Sequence, residues 1–210
     1  MIGIFGGTFD PVHFGHLGLA EVAYKSLNLQ RVIFVPIGIP PHRDMPQVSP
    51  QARVNMLQAA VRSYPDFEIS TVEVDKESPS WTVNTLAHFA DHTPGETLCL
   101  LMGADAFRPI NEWYQWRSLL DYGHLVVVSR AGVRFELSDE VAVFLEQNQV
   151  TSLPEQIVNG KGNILWLEAD VVDVSSTRVR QAIEARESLE QLLPASVEQL
   201  IRDNGYYGYQ

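Results

Sequence analysis

Short apolar runs recur along this chain and alternate with stretches of helical spacing. The apolar runs cover residues 1–5, 31–36, 96–102, 124–129 and 163–168, and they predict strands buried on both faces of a parallel sheet. Residues 67–75 instead alternate apolar and polar side chains, which predicts a strand with one covered face. Elsewhere the apolar positions return every three or four residues and predict helices over residues 17–27, 50–61, 80–89, 113–120, 138–147, 175–186 and 192–204.

Capping residues mark several of these helix ends. Ser49 followed by Pro50 is a typical helix start, and Ser80 is a candidate cap for the helix that follows it. We expect Asn28 to end the first helix and Gly205 to end the last one.

The alternation of strands and helices predicts an α/β fold in one domain, residues 1–210. We expect a doubly wound, Rossmann-like parallel sheet with helices on both faces, joined by right-handed crossovers. The helices from about residue 175 should form a C-terminal cap on the same domain. Ligands bind beyond the carboxyl ends of the strands in such sheets. The loops after Phe5, Pro36, Met102 and Ser129 should therefore gather at one edge.

Composition narrows the classes of function. The chain has 45% apolar residues and a formal net charge of −11, which argues against a partner such as duplex nucleic acid. Its single cysteine, Cys99, lies in an apolar run and is expected to be a small core residue, so no internal disulfide can form. We find no signal peptide and no run of about 20 apolar residues, so we expect a cytoplasmic protein without a membrane partner.

The loop after the first strand carries the most specific local pattern, Gly6-Gly7-Thr8 followed by His13 and His16. Backbone N–H groups at a turn that leads into a helix favour phosphate, because the positive end of the helix dipole lies behind them. The histidines are about one helical turn apart, so both could donate to one ligand as neutral imidazoles. The pattern is neither a dinucleotide fingerprint nor a P-loop. The alternative is an ordinary tight turn with glycines at positive φ, and a zinc site would need further ligands.

A second segment near residue 175 has a related physical interpretation. Ser175, Ser176 and Thr177 can cap a helix, and the free N–H groups at its start can hold phosphate. Arg180 lies one turn further along, within reach of the same anion. The alternative is an ordinary capped helix with solvated arginines.

Together the two segments resemble the signatures of the nucleotidyltransferase superfamily. The family's His-x-Gly-His element reads His13-Phe-Gly-His16, and its second signature, usually Ile-Ser-Ser-Thr-x-Ile/Val-Arg, reads Val174-Ser-Ser-Thr-Arg-Val-Arg180. Within the superfamily, four further elements resemble the bacterial nicotinate-mononucleotide adenylyltransferases. They are Pro40-Pro-His-Arg43, Ser80-Trp-Thr82, Gly103-Ala-Asp105 and Trp113. The resemblance runs over nearly the whole chain.

This resemblance implies three groups of site residues. The implied catalytic residues, which would donate to the transferring phosphate, are His13, His16 and Arg180. The other implied ATP-binding residues are Gly6, Gly7, Thr8, Phe9, Gly103, Asp105, Ser175, Ser176 and Thr177. The implied pyridine nucleotide site consists of His42, Arg43, Trp81, Thr82, Trp113 and Arg130. Core packing is the alternative for the two tryptophans, and capping of the next helix is the alternative for Asp105.

The resemblance also implies a reaction, in which ATP and nicotinate mononucleotide give nicotinate adenine dinucleotide and pyrophosphate in NAD biosynthesis. The acceptor phosphate would attack the α-phosphate in line, and Mg²⁺ would be bound mainly through the ATP phosphates, without a metal site of the protein's own. Two alternatives stay open: phosphopantetheine adenylylation and a non-catalytic nucleotide-binding module. The choice between the acid and the amide mononucleotide is also open, as is assembly into a homo-oligomer.

Overall fold

A computed structural model describes residues 1–40, 45–132, 136–154, 157 and 160–209. Its strands are β1 (Ile2–Gly7), β2 (Val32–Pro36), β3 (Phe67–Ile69), β4 (Leu98–Gly103), β5 (Gly123–Arg130), β6 (Gln149–Val150) and β7 (Ile164–Ala169). Its helices are α1 (Phe14–Leu27), α2 (Pro50–Val61), α3 (Thr82–His92), α4 (Ala104–Phe107), α5 (Leu119–Tyr122), α6 (Asp139–Asn148), α7 (Ser176–Glu184) and α8 (Ala195–Asn204). Short 3₁₀ turns cover Ile110–Glu112, Trp116–Ser118 and Tyr206–Gly208.

The seven strands found in the described residues form one parallel sheet in the order β3-β2-β1-β4-β5-β7-β6. The chain builds outward from β1 in one direction and from β4 in the other. The crevice between the carboxyl ends of β1 and β4 is therefore the topological switch point, where such folds bind ligands. The predicted doubly wound α/β fold is confirmed, and the loops after β1, β2, β4 and β5 leave the same edge.

Side chains alternate between the two faces of this sheet, so each face has its own core. Ile4 of β1 packs with the helices α3 to α6, whereas Phe5 packs on the opposite face with α1, α2, α7 and α8. Val179 of α7 and Ile201 of α8 are fully buried in the same core as Phe5. The helices that follow residue 175 therefore share the core on this face of the sheet. Within the described ranges, no helix is both long and apolar enough to span a bilayer.

Three predicted helix ends are confirmed by their backbone geometry. The Ser49 hydroxyl accepts the Ala52 N–H at 3.2 Å, with Pro50 as the first helical residue. Asn28 and Gly205 adopt left-handed conformations, with φ of 48° and 62°, and end α1 and α8. This conformation suits glycine and, less often, asparagine, because other side chains meet the backbone.

The predicted strand over residues 67–75 is wrong beyond Ile69. The Thr71 hydroxyl donates to the Asp75 carboxylate at 2.7 Å, and the Asp75 N–H donates to the Thr71 carbonyl at 2.9 Å. Short polar side chains of this kind compete with the strand ladder for the backbone. A local turn therefore replaces the second half of the strand, although the apolar alternation continues.

Two other predicted elements also differ. The helix over residues 113–120 is broken at Gln115, whose φ of 49° is left-handed, and only a 3₁₀ turn and the short α5 remain. Ser80 does not cap α3, because its hydroxyl accepts the N–H of Gly38 at 3.1 Å and Trp81 occupies the cap position. The two-residue strand β6 was not predicted at all.

Candidate active site

Strand β1 continues through both glycines and ends at Gly7, so the predicted break after Phe5 lies two residues too early. Neither Gly6 nor Gly7 has a positive φ. The left-handed residue of the loop is Phe9, with φ of 51°. A Cβ added to Gly7 would lie 2.8 Å from the Phe9 ring, which explains why this position needs glycine. The tight turn with glycines at positive φ is therefore wrong.

The Phe9 side chain is 1% exposed and belongs to the core beneath the loop. Its ring packs edge-on against Phe5 and against His16, at centroid distances of 5.5 and 4.9 Å. Only the backbone of Phe9 is therefore available to a ligand, because its ring packs in the core against His16.

The rings of His13 and His16 are stacked, with their centroids 3.7 Å apart and their planes 28° from parallel. The N–H of His13, at the start of α1, donates to Nδ1 of His16 at 3.3 Å. A neutral His16 must then carry its proton on Nε2, because Nδ1 already accepts. His16 therefore keeps one defined donor for a ligand.

Burial sets the protonation state of this pair. Because His13 is only 5% exposed, desolvation lowers its pKa to about 4. Desolvation, and then the neighbouring His13, lower the pKa of His16 well below the usual 6.5. Both imidazoles are thus neutral near pH 7 and offer N–H donors without a full charge.

Gly15, between the two histidines, is the point where the first loop meets the second signature. A Cβ at Gly15 would lie 2.8 Å from the carbonyl oxygen of Val174 and 3.0 Å from Nδ1 of His13. Any side chain here would push α1 away from the segment that leads into α7. Glycine is therefore required for the close approach of the two segments.

Hydrogen bonds then join the second signature to the first loop. Ser175 caps α7 by accepting the Arg178 N–H at 3.1 Å, and the Ser176 hydroxyl donates to the Pro11 carbonyl at 2.9 Å. Arg180 donates to the Asp10 carbonyl at 2.6 Å. The two motifs, more than 150 residues apart in sequence, thus form one continuous site.

Arg180 keeps donors for a ligand. Besides the Asp10 carbonyl it contacts the Thr177 hydroxyl at 3.3 Å, and its side chain is 25% exposed. Arg180 and Thr177 also line a polar cavity of about 1050 Å³ together with Gln47 and Tyr207. This cavity borders the second signature and does not include either histidine among its lining residues.

Asp10 is a buried centre of the site that the sequence analysis missed. Its carboxylate accepts the Tyr207 hydroxyl at 2.9 Å and the Gln47 N–H at 2.9 Å, and it lies 3.8 Å from Arg180. The sequence signal was weak, because a carboxylate next to proline is common in loops and its partners lie 37 to 197 residues away.

Arg53 was also missed, although it is fully buried. It donates to the carbonyl of Thr8 at 2.8 Å and to that of Ile37 at 2.7 Å, so it ties the loop after β1 to the loop after β2. Burial lowers the pKa of this guanidinium, yet arginine remains charged at any physiological pH. A signal did exist, since Arg53 occupies the same helix face as the buried Met56 and Leu57.

The carboxyl end of β4 brings Gly103 and Asp105 to the other side of the crevice. Gly103, rather than Asp105, occupies the cap position of α4, so the capping role considered for Asp105 is wrong. Asp105 is exposed in the first turn, and its side chain makes no hydrogen bond within the described part of the chain. Its carboxylate is available to accept from a ligand hydroxyl.

Residues predicted for the acceptor lie around the start of α3. The Trp81 ring packs 4.9 Å from the ring of Tyr114, and Thr82 is the first residue of α3. Trp113 is partly buried against the core of this face, which is the packing role considered for it. His42 and Arg43 lie outside the described residues.

Arg130 was predicted for the pyridine nucleotide site, but its ion-pair partner lies next to the second signature. It ends β5 and forms an ion pair with Asp173, just before the second signature. The structure therefore connects Arg130 to the segment that leads into α7.

Buried polar contacts hold the loop after β2 in place beside the residues predicted for the pyridine nucleotide. The Thr85 hydroxyl donates to Glu73 at 2.5 Å, and a Cβ at Gly38 would lie 2.1 Å from the Glu73 carbonyl oxygen. Burial raises the pKa of the Glu73 carboxyl. The loop after β2 is thereby held against the segment that carries Ser80 and Trp81.

A parallel α/β sheet whose loop at the switch point carries two neutral imidazoles, next to a capped helix with an arginine, is typical of a nucleotide-binding transferase. Comparison with known proteins specifies the class. The model of the family described as "Cytidylyltransferase-like" matches residues 4–182. The chain belongs to this family, and within it to the nicotinate-nucleotide adenylyltransferases.

Curated relatives support this assignment over the full length. The chain is 39% identical over 207 residues to the "Probable nicotinate-nucleotide adenylyltransferase" of Aeromonas hydrophila, covering 98% of this chain and 96% of the relative. It is 36% identical over 208 residues to the protein of the same name from Halorhodospira halophila, covering 99% and 95%.

Solved structures agree on the fold. The Plasmodium falciparum nicotinic acid mononucleotide adenylyltransferase in complex with NaAD has a TM-score of 0.73 at 15% identity, covering 100% of this chain and 98% of that one. The complex of the same protein with APC has a TM-score of 0.72 at 14% identity, with the same coverage. At this identity the likeness concerns the fold alone.

Proposed function

We propose that this protein transfers the adenylyl group of ATP to nicotinate mononucleotide and releases pyrophosphate, as a step in NAD biosynthesis. One observation carries the proposal: Ser176 and Arg180 are hydrogen-bonded to the loop that bears the stacked pair His13 and His16. The site thus combines neutral donors and a fixed cation at the switch point. The choice of nicotinate mononucleotide as the acceptor rests on the names of relatives that are 36% to 39% identical.

The chemistry needs no nucleophilic side chain. The phosphate oxygen of the acceptor attacks the α-phosphorus of ATP, a new P–O bond forms, and the bond between the α-phosphorus and the bridging oxygen breaks as pyrophosphate leaves. Negative charge moves onto the phosphate oxygens that surround the bond being broken. Donors that are already in place stabilise this charge, and holding both substrates in line supplies the rest of the catalysis.

The two histidines suit this role because burial lowers their pKa values and keeps them neutral donors. His16 offers Nε2–H, since its Nδ1 is occupied by the backbone. A donor that does not change its protonation state near pH 7 needs no reorganisation as charge develops. Arg180 would add a permanent charge toward the β- and γ-phosphates.

The remaining ATP contacts follow the shape of the crevice. Backbone groups of residues 6–9 would face the phosphates, and the helix start at residues 175–177 would hold the leaving pyrophosphate. Gly103 and Asp105 would lie against the ribose, with the exposed carboxylate of Asp105 accepting from its hydroxyls.

Mg²⁺ is proposed to arrive with ATP and to be bound mainly by phosphate oxygens, where it would neutralise part of their charge. The buried carboxylate of Asp10, in the loop that leads to the histidines, already accepts two hydrogen bonds. The donor set around the site, mainly imidazole, hydroxyl and guanidinium groups, suits phosphate oxygens better than a hard cation.

The pyridine nucleotide is proposed to occupy the crevice beside α3. Backbone and hydroxyl groups at Trp81 and Thr82 would recognise the pyridine carboxylate, and Trp113 would contact the ring. His42 and Arg43 would bind the phosphate, for which the fork of arginine donors is well suited. Arg130 is proposed to assist on the same side once its pair with Asp173 opens.

The decisive assay measures pyrophosphate release from ATP and Mg²⁺ with each of three acceptors. We expect fast release with nicotinate mononucleotide, slower release with the amide mononucleotide and none with phosphopantetheine. Release with phosphopantetheine alone would favour the alternative enzyme. ATP binding without release from any acceptor would favour a binding module and refute the proposed reaction.

A further inference from the structure

The segment after α8 turns back toward the first loop through three left-handed residues. These are Gly205, Tyr207 and Gly208, with φ of 62°, 59° and 73°. Tyrosine has no intrinsic preference for this conformation, so tertiary contacts must hold it there. The contact that results is a hydrogen bond from the Tyr207 hydroxyl to the Asp10 carboxylate at 2.9 Å, across 197 residues.

Tyr207 is held as a donor. Burial, and then the charge and the hydrogen bond of Asp10, raise the pKa of its hydroxyl. The hydroxyl therefore stays protonated at any pH at which the protein is folded, and the direction of the hydrogen bond is fixed.

The carboxylate of Asp10 lies between Tyr207 and Arg180. One oxygen accepts the Tyr207 hydroxyl and the other accepts the Gln47 N–H. The second oxygen is 3.8 Å from Nη1 of Arg180, beyond hydrogen-bonding distance. The same nitrogen donates instead to the backbone carbonyl of Asp10 at 2.6 Å.

This arrangement is unusual for a carboxylate and a guanidinium so close together. Left free, the two groups form a close and often bidentate pair. Such a pair would turn the donors of Arg180 away from the cavity that this side chain lines. The two hydrogen bonds to Asp10 hold one oxygen each and so fix the orientation of the carboxylate, whose nearer oxygen stays 3.8 Å from Arg180.

We propose that Tyr207 is a positioning residue that restrains the Asp10 carboxylate and so keeps Arg180 available to the triphosphate of ATP. The inference rests on the proposed function, in which Arg180 binds that triphosphate. In this proposal Tyr207 acts through Asp10, to which its hydroxyl donates.

The first test compares Tyr207→Phe with Tyr206→Phe. Tyr206 is the neighbouring tail residue, and its hydroxyl makes no hydrogen bond in the described ranges, so its variant is the matched control. Titration calorimetry with a non-hydrolysable ATP analogue and Mg²⁺, without acceptor, should give about tenfold weaker binding for Tyr207→Phe, the order of one charge-assisted hydrogen bond. Tyr206→Phe should bind as the wild type does.

Steady-state kinetics separate positioning from a general loss of structure. Tyr207→Phe should raise the KM for ATP by a similar factor and leave the KM for the acceptor unchanged. Equal changes in both KM values, or normal ATP affinity, would overturn the inference.

A second variant tests whether Asp10 is the intermediary. Adding Asp10→Asn to Tyr207→Phe removes the charge that would capture Arg180, so ATP affinity should recover relative to Tyr207→Phe alone. A double variant that binds ATP no better than Tyr207→Phe, with an unchanged circular dichroism spectrum, would refute the restraint. Failure of the wild-type protein to bind the analogue would instead refute the proposed ATP site.

Discussion

Replacing Gly15 by alanine tests whether the close approach of α1 to the second signature is needed for activity. The added Cβ would lie 2.8 Å from the Val174 carbonyl oxygen, whereas ordinary contacts begin at about 3.4 Å. Both neighbours are fixed, since one is backbone and the other is His13 in a packed stack. Overpacking of this kind costs about 1–3 kcal/mol, against a helix-propensity gain of up to about 1 kcal/mol for alanine.

Gly18→Ala is the matched control, one turn further along the same helix. There the added Cβ meets a single atom, Cγ1 of Val171, at 3.9 Å, which is ordinary contact. We expect Gly18→Ala to gain up to about 1 kcal/mol of unfolding free energy with full turnover. Gly15→Ala should be less stable than Gly18→Ala by the overpacking cost, about 1–3 kcal/mol.

Urea unfolding and pyrophosphate release measure the two quantities separately. Turnover of Gly15→Ala should fall by about 100-fold, because a shift of under 1 Å between histidines and α7 misplaces donors that must already be in position. The reasoning is refuted if Gly15→Ala matches Gly18→Ala in both stability and turnover. Lost stability with normal turnover would show that the contact supports only the fold.

Three further predictions follow from the same contacts. His13 has a pKa of about 4 in the folded protein and 6.5 in the unfolded chain, so its contribution to the free energy of unfolding is complete above pH 6.5 and falls by roughly 3 kcal/mol as the pH drops to about 4. Urea titrations should show a flatter pH dependence of stability for His13→Gln, and equal slopes for the variant and the wild type would contradict this. For His16, alanine should lower kcat about 100-fold or more with little change in ATP affinity, whereas the surface variant His92→Ala should behave as wild type; normal turnover would exclude the donor role. For Arg53, leucine should cost about 2–4 kcal/mol of unfolding free energy, because two carbonyls lose the donors of a fully buried guanidinium. The exposed Arg62→Leu should stay within about 0.5 kcal/mol, and equal effects would show that the two bonds contribute nothing.

The sheet was predictable because its strands are buried on both faces. Such strands leave continuous apolar runs, as in β4 and β5, and few other structures produce them at that length. The prediction for β3 was too long because this strand has only one covered face and a local turn ends it at Ile69. The alternation of residues 67–75 continues past Ile69, but Thr71 and Asp75 satisfy each other locally. Apolar periodicity indicates which side chains are buried, but it cannot show that a local hydrogen bond replaces the strand ladder.

The candidate site was only partly predictable for a related reason. The histidines and the serines of the second signature were found because each group is local in sequence. Asp10, Arg53 and Tyr207 were missed because their roles depend on partners that folding brings together. The position of Arg53 on the apolar face of α2 indicates burial, but the sequence does not show which carbonyls it bonds.

The hydrogen bonds from Ser176 to Pro11 and from Arg180 to Asp10 close loops of 165 and 170 residues. The entropy of closing a flexible loop rises with its length, so contacts of this span become favourable only once the intervening sheet has brought their ends together. During refolding from denaturant, nucleotide binding should therefore return later than the circular dichroism signal of the helices. Recovery of nucleotide binding therefore marks the completion of folding. Bound nucleotide should also protect the folded chain against proteolysis at both of these distant segments.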